Sequence, residues 1–390
     1  MTSHNPAFVR KVMVVHATSV HKWDDVRIFQ KQAKSLAEAG YAVHIVAPGD
    51  LRDQQASCNG TIALHLVPRL QSRFGRMLVT APRVICKAIA LGADVLHIHD
   101  LELIPWALAA KLFGYRVIVD LHEDYPAAVL SKSWIPTPLR PLFALAVGCL
   151  IGLAAHTVDA VIAADEHIER QVQSRASCCL VRTVENFPDL SRFMSTSGGA
   201  SRTRFCQPTV LFLGGVNPAR AILPFVQALP LLGAIPYRVQ VGGRAGHPAL
   251  LARLQQEPGW KFVEYLGEVP HDAVPDLLSR CALSVVLFTD EPNHQSVRSN
   301  RVFEALAAGA PVLVSNMPAW TTFIADNDCG FAADPTDEQS IATALRNALL
   351  DPQRLEEAGL NGRRAVERQF SWCVQAETLV AVYSLVARVG

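Results

Sequence analysis

A polar segment that carries two arginines runs into an apolar pattern typical of a short helix. The first backbone N–H groups of a helix lack partners within the helix and favour an anion. Guanidinium and amide groups beside them would add charge-assisted bonds to a phosphate, and a carboxylate one turn later could accept bonds from sugar hydroxyls. Solvated charges at an ordinary helix start are the alternative interpretation. The residues concerned are Arg298, Ser299, Asn300, Arg301 and Glu304.

Other chemically capable residues come directly after the predicted strands, which is where ligands bind in open α/β sheets. In the second half of the chain they are Gly214, Gly215, Asn217, Arg220 and Arg244. Glycines there allow close approach of the backbone to a ligand, and arginines can face a diphosphate. In the first half they are His21, Asp25, Arg27, His99, Asp100, His122 and Glu123. A tight turn at the two glycines and hydrogen-bonded core histidines are the alternatives.

The elements that must position these residues alternate between short β-branched runs and longer helical patterns, which predicts parallel sheets built from βαβ units. The predicted strands are residues 12–16, 43–46, 95–99, 117–120 and 161–164, then 210–213, 237–241, 262–266, 283–287 and 311–314. A stretch of low hydrophobicity at 195–201 separates the halves. The predicted fold is therefore α/β, with two doubly wound Rossmann-like domains, residues 1–195 and 202–370, that face each other across a cleft.

Composition narrows the class of protein. The chain has 390 residues, of which 50% are hydrophobic, and a formal net charge of +1, which argues against a bulk nucleic-acid binder. Its nine cysteines include no Cys-x-x-Cys pair, so neither a disulfide framework nor a metal site is indicated, and a reduced cytosol is the expected compartment. Asp326-Asn-Asp328 has a spacing that can hold a metal, but a turn is the preferred interpretation, and no metal is predicted.

Two segments have sequence features that are relevant to membrane binding. Basic and apolar residues are interleaved between Arg69 and Lys87, a pattern that could lie on an anionic membrane surface or form a solvated helix. The apolar run Pro141 to Ala155 falls short of the roughly 20 residues that a membrane span needs. The first ten residues lack the apolar core of a secretory signal.

The sequence lacks the motifs of several enzyme classes. The chain contains no phosphate-binding Gly-x-x-x-x-Gly-Lys-Ser/Thr loop, no Gly-x-Gly-x-x-Gly after the first strand and no Gly-x-Ser-x-Gly elbow. The absence of these motifs argues against a nucleoside triphosphatase, a dehydrogenase and a hydrolase.

Five motifs carry a resemblance to a known family. They are Asp25-Val-Arg-Ile-Phe29, His97-Ile-His-Asp100, Val119-Asp-Leu-His-Glu-Asp-Tyr-Pro126, Asn300-Arg-Val-Phe-Glu-Ala-Leu-Ala-Ala-Gly-Ala-Pro311 and Cys329-Gly-Phe331. Over almost its full length the chain resembles the retaining GT-B glycosyltransferases, close to family 4. The resemblance implies transfer of a sugar from a nucleoside-diphosphate sugar to an acceptor hydroxyl, with the donor in the second domain and the acceptor in the first. No cofactor is expected, and no metal is required, because arginines and a helix start aimed at the phosphate would stabilise the charge that develops there.

The resemblance also implies roles for single residues. Glu304 matches the glutamate that binds the nucleotide ribose, and Ser299, Asn300 and Arg301 fall where the diphosphate is held. Arg220 matches the basic residue after the second domain's first strand, and His122 matches the histidine near the transferred sugar. The predicted catalytic residues are thus His122, Arg220 and Arg301. The final helix, about 371–390, is expected to pack back on the first domain.

One departure from the family concerns the donor sugar. The family's first motif glutamate, eight positions before Glu304, is Ser296 in this chain, and Glu291 is a possible substitute. The predicted function is transfer in bacterial cell-surface polysaccharide or glycolipid biosynthesis, in the cytoplasm or on the inner face of the membrane. The expected partners are a nucleotide sugar and a carbohydrate or lipid-linked acceptor, without nucleic acid. The alternatives are a cytosolic small-molecule glycosyltransferase and a GT-B sugar-nucleotide epimerase.

Overall fold

The computed structural model describes residues 11–50, 61–132, 134–176, 179–194, 204, 208–290 and 299–388. The chain divides into two compact units. The first comprises Met1–Asn186 together with Gln375–Gly390, and the second comprises Phe187–Val374. The division thus falls before the boundary predicted at residue 195.

The first unit is built on a parallel sheet of seven strands in the order β3-β2-β1-β4-β5-β6-β7. The strands are β1 (Met13–Ala17), β2 (Ala42–Pro48), β3 (Ile62–Val67), β4 (Val95–Ile98), β5 (Arg116–Leu121), β6 (Ala160–Ala163) and β7 (Leu180–Thr183). The order reverses between β1 and β4, which are adjacent, and such a switch point is where doubly wound sheets bind ligands. The fold therefore favours a ligand site in the loops after β1 and β4.

The helices of this unit are α1 (Lys34–Glu38), α2 (Arg73–Gly75), α3 (Ala81–Ala90), α4 (Ile104–Leu112), α5 (Tyr125–Ser131), α6 (Arg140–Thr157) and α7 (Glu166–Arg175). Wider π-helical turns precede two of them, at Val26–Ala33 and Arg76–Thr80, and short 3-10 turns lie at Leu101–Leu103 and Thr137–Leu139.

The first helical segment differs in geometry from its prediction. The sequence predicts one helix from Arg27 to Ala39, whereas the structure has a π-helix that continues into α1. The wider turn brings residues five apart to one face, here Arg27 and Gln32. The predicted end is confirmed: Gly40, with φ of 96°, donates its N–H to the Ala37 carbonyl.

The second unit is a parallel sheet of six strands in the order β10-β9-β8-β11-β12-β13. The strands are β8 (Thr209–Leu213), β9 (Arg238–Gly242), β10 (Val263–Gly267), β11 (Leu283–Val286), β12 (Val312–Ser315) and β13 (Gly330–Ala333). Alternate residues of β8 enter two separate cores, Val210 and Phe212 in one and Leu211 and Leu213 in the other. A strand buried on both faces needs this continuous apolar sequence.

The helices of the second unit are α8 (Ser191–Met194), α9 (Ile222–Ala228), α10 (Pro248–Gln256), α11 (Val274–Arg280), α12 (Asn300–Ala307), α13 (Pro318–Asn327), α14 (Glu338–Leu349) and α15 (Pro352–Gln369). Short 3-10 turns lie at Pro218–Arg220, Leu229–Leu232, Pro258–Phe262 and His271–Ala273. The sheet order again reverses, between β8 and β11, so the loops after these strands lie at its switch point. Asp328 ends α13 with φ of 47° and pairs with Arg354, as expected of a turn.

The last helix, α16 (Trp372–Arg388), begins in the second unit and contributes its residues from Gln375 onward to the first. Its Tyr383 is fully buried, and the Tyr383 hydroxyl lies 2.7 Å from His97 Nδ1 in β4. The carboxyl-terminal part of α16 is therefore part of the core of the first unit.

The helix that contains the apolar run is longer than the run itself. By length and composition alone, Thr137–Thr157 and Pro352–Ala387 could cross a membrane, a test that core helices of soluble proteins also pass. In α6, Gly148, Ile151 and Ala154 are buried, whereas Leu142 and Leu145 are exposed. One face of α6 therefore packs on the unit and another remains apolar and open.

Candidate active site

Arg220 lies in the turn that comes after β8. Its guanidinium carbon lies 4.1 Å from the centre of the Phe288 ring, and its Nη2 donates to the Leu213 carbonyl at 3.3 Å. Its Nε lacks a hydrogen-bond partner, and no carboxylate pairs with it, in the part of the chain that the structure describes. Burial, with the nearby charge of Arg301, lowers the pKa of Arg220 to about 10. A partly buried cation without a counter-ion favours an incoming anion.

Glycines make room for this arginine. Gly214 has φ of 141°, and a Cβ there would lie 3.1 Å from Arg220 Nη2. Gly243, after β9, has φ of 152°, and its Cβ would lie 1.7 Å from the Gly214 carbonyl oxygen. A Cβ at Gly215 would lie 2.9 Å from Asn217 Nδ2, and Asn217 Oδ1 is buried without a partner among the described residues. These glycines thus do more than turn the chain, because they let two loops and a guanidinium meet.

Arg244 lies on the same rim but is exposed. Its carbonyl accepts a bond of 3.1 Å from the Val216 N–H, so the loops after β8 and β9 run side by side. The Arg244 side chain is therefore free to reach solvent near Gly215.

The start of α12 is open to an anion. Its N-cap, Ser299, makes no side-chain bond to the first turn, although the Val302 N–H donates to the Ser299 carbonyl at 3.0 Å. The first N–H groups of a helix favour an anion. Arg301 Nη1 lies 2.6 Å from Glu304 Oε2, so the two predicted donor-binding side chains pair with each other. The pair is partly buried, with 31% and 13% of the side chains exposed. Arg298, Ser296 and Glu291 lie outside the described residues.

In the first unit, Asp100 organises the loop after β1. Its Oδ2 accepts from Thr18 Oγ1 at 2.7 Å, from the Ser19 N–H at 2.6 Å and from the Val20 N–H at 3.2 Å. The hydrogen-bonding capacity of this carboxylate oxygen is therefore taken up by donors within the protein. Asp100 therefore shapes the loop, and little of it remains for a ligand.

His21 stands in that loop between two carboxylates. Its Nδ1 lies 3.4 Å from Asp25 Oδ2, and its Nε2 lies 3.4 Å from Asp100 Oδ1. Burial opposes protonation of His21, but the two carboxylates outweigh it and raise its pKa. Burial likewise opposes ionisation of Asp25, but bonds from His21 and the Ile28 N–H lower its pKa to about 2. The His21 side chain is about one-third exposed.

Arg27 has a different place from the one predicted. It was expected on the acceptor side, but only 5% of it is exposed and its guanidinium points into the core. Its Nε and Nη2 bind the two Asp120 oxygens at 2.9 and 2.7 Å, and its Nη1 donates to the Val184 carbonyl at 2.8 Å. Every side of the guanidinium is used, so Arg27 is a buried partner of Asp120 and does not face a ligand.

His99 also lies deeper than predicted. It is fully buried, and burial lowers its pKa to about 3 despite Asp120 at 3.3 Å. Its Nε2 lies 2.9 Å from His16 Nδ1, and its Nδ1 lies 3.4 Å from His122 Nε2. His122 is 16% exposed by its side chain, so it is the member of this chain of histidines that a ligand could reach.

Two groups in this region have ligand atoms within 4.8 Å of one another, as a metal would require: His16, His97 and His99, and then His99, Asp120 and His122. Hydrogen bonds already join His16 to His99, and Asp120 lies 3.3 Å from both His99 and His122. Most of the nitrogen and oxygen atoms that face one another in these two groups therefore already contact a neighbouring side chain. His16 Nε2 and His97 Nε2 remain buried without partners among the described residues.

Glu123 is the neighbour of His122 in the chain and is partly exposed. An open cavity of about 660 Å³ lies at the carboxyl ends of β2 and β3 and beside the loop after β1. Its lining includes Trp23, Asp24, Asp50 and Arg69. An aromatic ring with charged neighbours suits a polar molecule that has apolar faces.

Two families match successive parts of the chain. The family described as Glycosyltransferase Family 4 matches residues 26–192, and the family described as Glycosyl transferases group 1 matches residues 207–351. The chain is a glycosyltransferase of the family 4 type.

This glycosyltransferase is similar to several curated proteins. It is 26% identical to the phosphatidyl-myo-inositol mannosyltransferase of Mycobacterium leprae over 341 residues, which are 85% of this chain and 82% of that protein. It is 29% identical to a D-inositol 3-phosphate glycosyltransferase of Jonesia denitrificans over 181 residues, 45% of this chain and 42% of that protein. The second likeness thus spans less than half of that relative's length.

Solved structures share the GT-B fold. The sucrose-phosphate synthase of Thermosynechococcus elongatus superposes with a TM-score of 0.75 at 17% identity, over 98% of this chain and 100% of that one. Anabaena HepE in complex with UDP and glucose superposes with a TM-score of 0.70 at 15% identity, over 96% and 99%. At these identities the likeness establishes the two Rossmann-like units and no more.

Two residues of the candidate site were not among the predicted site residues, although the loop that begins at Phe288 was expected to help select the sugar. Phe288 lies two residues after β11, and its place at a strand end is a signal that could have found it. Asp120 lies two residues before His122 and entered the prediction only as part of a motif. The number of hydrogen-bond partners of Asp120 depends on the fold and cannot be read from the sequence.

Proposed function

We propose that this glycosyltransferase moves a sugar from a nucleoside-diphosphate sugar to an acceptor hydroxyl with retention of the anomeric configuration. The observation that carries the proposal is Arg220, a partly buried guanidinium without a carboxylate partner among the described residues. Gly214 lies against it, and Arg301 is close enough to lower its pKa. A diphosphate would supply the negative charge that Arg220 lacks.

The proposed mechanism rests on where charge develops. Cleavage of the bond between sugar and diphosphate builds negative charge on the β-phosphate and positive charge on the sugar. Guanidinium groups and the open start of α12 would stabilise that leaving phosphate. In the proposed front-face attack, the acceptor oxygen bonds to the anomeric carbon as the sugar–phosphate bond breaks, and the leaving phosphate takes the acceptor proton.

We propose that no divalent metal and no cofactor take part. Arg220 and Arg301 provide the positive charge that a metal would otherwise bring to the diphosphate. Once a diphosphate competes for Arg301, Glu304 can turn from its ion pair to the ribose hydroxyls. Ser299, Asn300, Asn217 and Arg244 would complete the donor site.

On the acceptor side we propose His122, the partly exposed end of the buried histidine chain, as the group next to the transferred sugar. His21, Asp25 and Glu123 would contact the acceptor, and His99, Asp100 and Arg27 would act through other residues. The cavity beside Trp23 and Arg69 is a candidate place for the rest of the acceptor.

We propose a carbohydrate or lipid-linked acceptor at the inner face of a bacterial membrane, in cell-surface polysaccharide or glycolipid biosynthesis. Support comes from a surface of the first unit formed by Arg73, Phe74, Leu78 and Trp134, here called the basic apolar surface. Phe74 is 79% exposed and Leu78 67%, and the Arg73 guanidinium lies 4.5 Å from the Trp134 ring centre. Apolar groups with a cation among them suit an anionic lipid interface. Free cysteines such as Cys86 and Cys149 suit a reducing cytoplasm.

Turnover with a panel of UDP-, GDP-, ADP- and dTDP-sugars tests this function. The purified chain is incubated with each donor and with short-chain lipid-linked or free sugar acceptors, and NMR gives the anomeric configuration of the product. We expect one base to support transfer with retention. An inverted product would refute retention, and an epimerised donor without transfer would favour the epimerase alternative. Transfer only to a soluble small molecule would favour the cytosolic alternative.

A further inference from the structure

Asp120, at the carboxyl end of β5, gathers an unusual number of donors for one carboxylate. Its Oδ1 accepts from Arg27 Nη2 at 2.7 Å, and its Oδ2 accepts from Arg27 Nε at 2.9 Å and from Gln32 Nε2 at 2.7 Å. His99 Nδ1 and His122 Nε2 each lie 3.3 Å from the same Oδ2. The carboxylate is 1% exposed, so water does not compete for it.

This carboxylate is ionised. Burial by itself opposes ionisation, but the Arg27 charge and then His122 and His99 outweigh burial and hold the pKa of Asp120 well below its ordinary value. An ionised carboxylate accepts hydrogen bonds and donates none. Hydrogen on both ring nitrogens that face Asp120, Nδ1 of His99 and Nε2 of His122, satisfies this carboxylate. Neither nitrogen then accepts a hydrogen bond from the other across the 3.4 Å that separates them.

The same rule fixes the next ring. Burial keeps His99 and His16 neutral by lowering the pKa of each. With hydrogen on its Nδ1, neutral His99 has a bare Nε2, which accepts from His16 Nδ1 at 2.9 Å. The hydrogen positions thus run in one direction from Asp120 through His99 to His16.

His122 is the branch of this network that reaches the surface. Its Nδ1 makes no hydrogen bond to any described residue, and its ring centre lies 5.1 Å from that of His21. We infer that Asp120 is a positioning residue, which holds hydrogen on His122 Nε2, so that in the neutral His122 ring Nδ1 is the bare nitrogen that accepts a hydrogen bond from a substrate hydroxyl. This inference rests on the proposed function for the part that concerns substrate.

The test reads the hydrogen position directly. The full chain is labelled with ¹⁵N-histidine, and the ring nitrogen shifts of His122, assigned with His122→Ala, report which nitrogen carries hydrogen. We expect the Nε2–H form in the native chain and a loss of that preference in Asp120→Asn, whose amide can donate as well as accept. The control is His97→Gln, which alters a buried histidine of the same cluster that has no hydrogen bond to Asp120, and which should leave His122 unchanged.

Activity provides the second readout. We expect Asp120→Asn to lower kcat by about 10²-fold or more with little change in KM, since a misplaced histidine hydrogen is costly in other enzymes. The double variant with His122→Ala should be no slower than His122→Ala alone, because Asp120 acts through His122. Where Asp120→Asn fails to fold because Arg27 is left charged and buried, the pair Arg27→Met with Asp120→Asn removes that charge.

The possible results distinguish the positioning role of Asp120 from the proposed place of His122 at the substrate. A native His122 with hydrogen on Nδ1, or a folded Asp120→Asn chain that keeps the Nε2–H form, would overturn the inference. A changed hydrogen position in Asp120→Asn together with full turnover in His122→Ala would support the positioning role of Asp120 and refute the proposed place of His122 at the substrate.

Discussion

At the scale of single residues, the proposed site combines charged side chains that are paired within the protein with a charged side chain that has no partner among the described residues. Asp120 and Arg27 satisfy each other in the core of the first unit. Arg220 is left uncompensated among the described residues of the second unit. A charge that is partly buried at a cost in stability is typical of a ligand site, because the ligand later removes the cost.

His21 gives a pH-dependent prediction. Its carboxylate neighbours raise its pKa above 6.5, so the ion pairs stabilise the loop after β1 below that pH and are lost as pH rises through the folded-state value. Proton NMR should show His21 titrating above 6.5 in the native chain and lower in Asp25→Asn. At a given pH the exposed His156 should have the same ring-proton shifts in both proteins. An unchanged His21 midpoint in Asp25→Asn would contradict the ion pairs described for this loop.

Side-chain placement at the strand ends was easier to predict from the sequence in the second unit than in the first. Arg220 and Gly214 come soon after a strand, so their position is local information. Arg27 and His99 also lie near strand ends or helix starts, but their side chains turn inward because Asp120, distant in sequence, binds them. The direction of such side chains depends on a partner that only the folded chain supplies.

At the scale of elements, the sequence predicted the central strands and one edge strand, β10, and missed the other three edge strands. β3, β7 and β13 lie at the ends of their sheets. β7 contains Arg182, and β13 begins with Gly330, so neither has the continuous apolar sequence of β8 or β12. Edge strands are exposed along one side, and their sequences therefore resemble those of loops.

The glycines between β8 and β9 give a prediction at this scale. Gly243→Ala should lower the free energy of unfolding by roughly 2–4 kcal/mol, because the new Cβ would overlap the Gly214 carbonyl in a backbone region that favours glycine. Gly246→Ala in the same loop is the control, since its Cβ would lie 3.6 Å from its nearest neighbours. Urea unfolding measures both. Equal stability of the two variants would mean that the loops do not pack as described.

At the scale of the whole molecule, two Rossmann-like units carry complementary chemistry. The first offers histidines and carboxylates at the switch point between β1 and β4, and the second offers arginines and glycines at the switch point between β8 and β11. The fold class and this separation were predicted from the sequence, because the alternation of strands and helices is a pattern of the whole chain.

Membrane association is the prediction that belongs to the whole molecule. The intact chain should float with vesicles that contain anionic lipid at low salt and dissociate as salt rises. The double variant Phe74→Ser with Leu78→Ser should bind more weakly. Leu360→Ser, at another exposed leucine, is the control and should bind as the native chain does. Failure of the native chain to float at low salt would remove the basic apolar surface from the proposal.

Arg220 is proposed to bind the diphosphate of a sugar nucleotide. Calorimetric titration of UDP, GDP, ADP and dTDP into the native chain and into Arg220→Met measures this binding. We predict that one of them binds the native chain with one site, and that Arg220→Met weakens it by about 10²-fold or more. The free variant should be as stable as the native chain or more so, because an unpaired, partly buried charge is removed. Binding of none of the four nucleotides, or equal affinity in the variant, would contradict the claim.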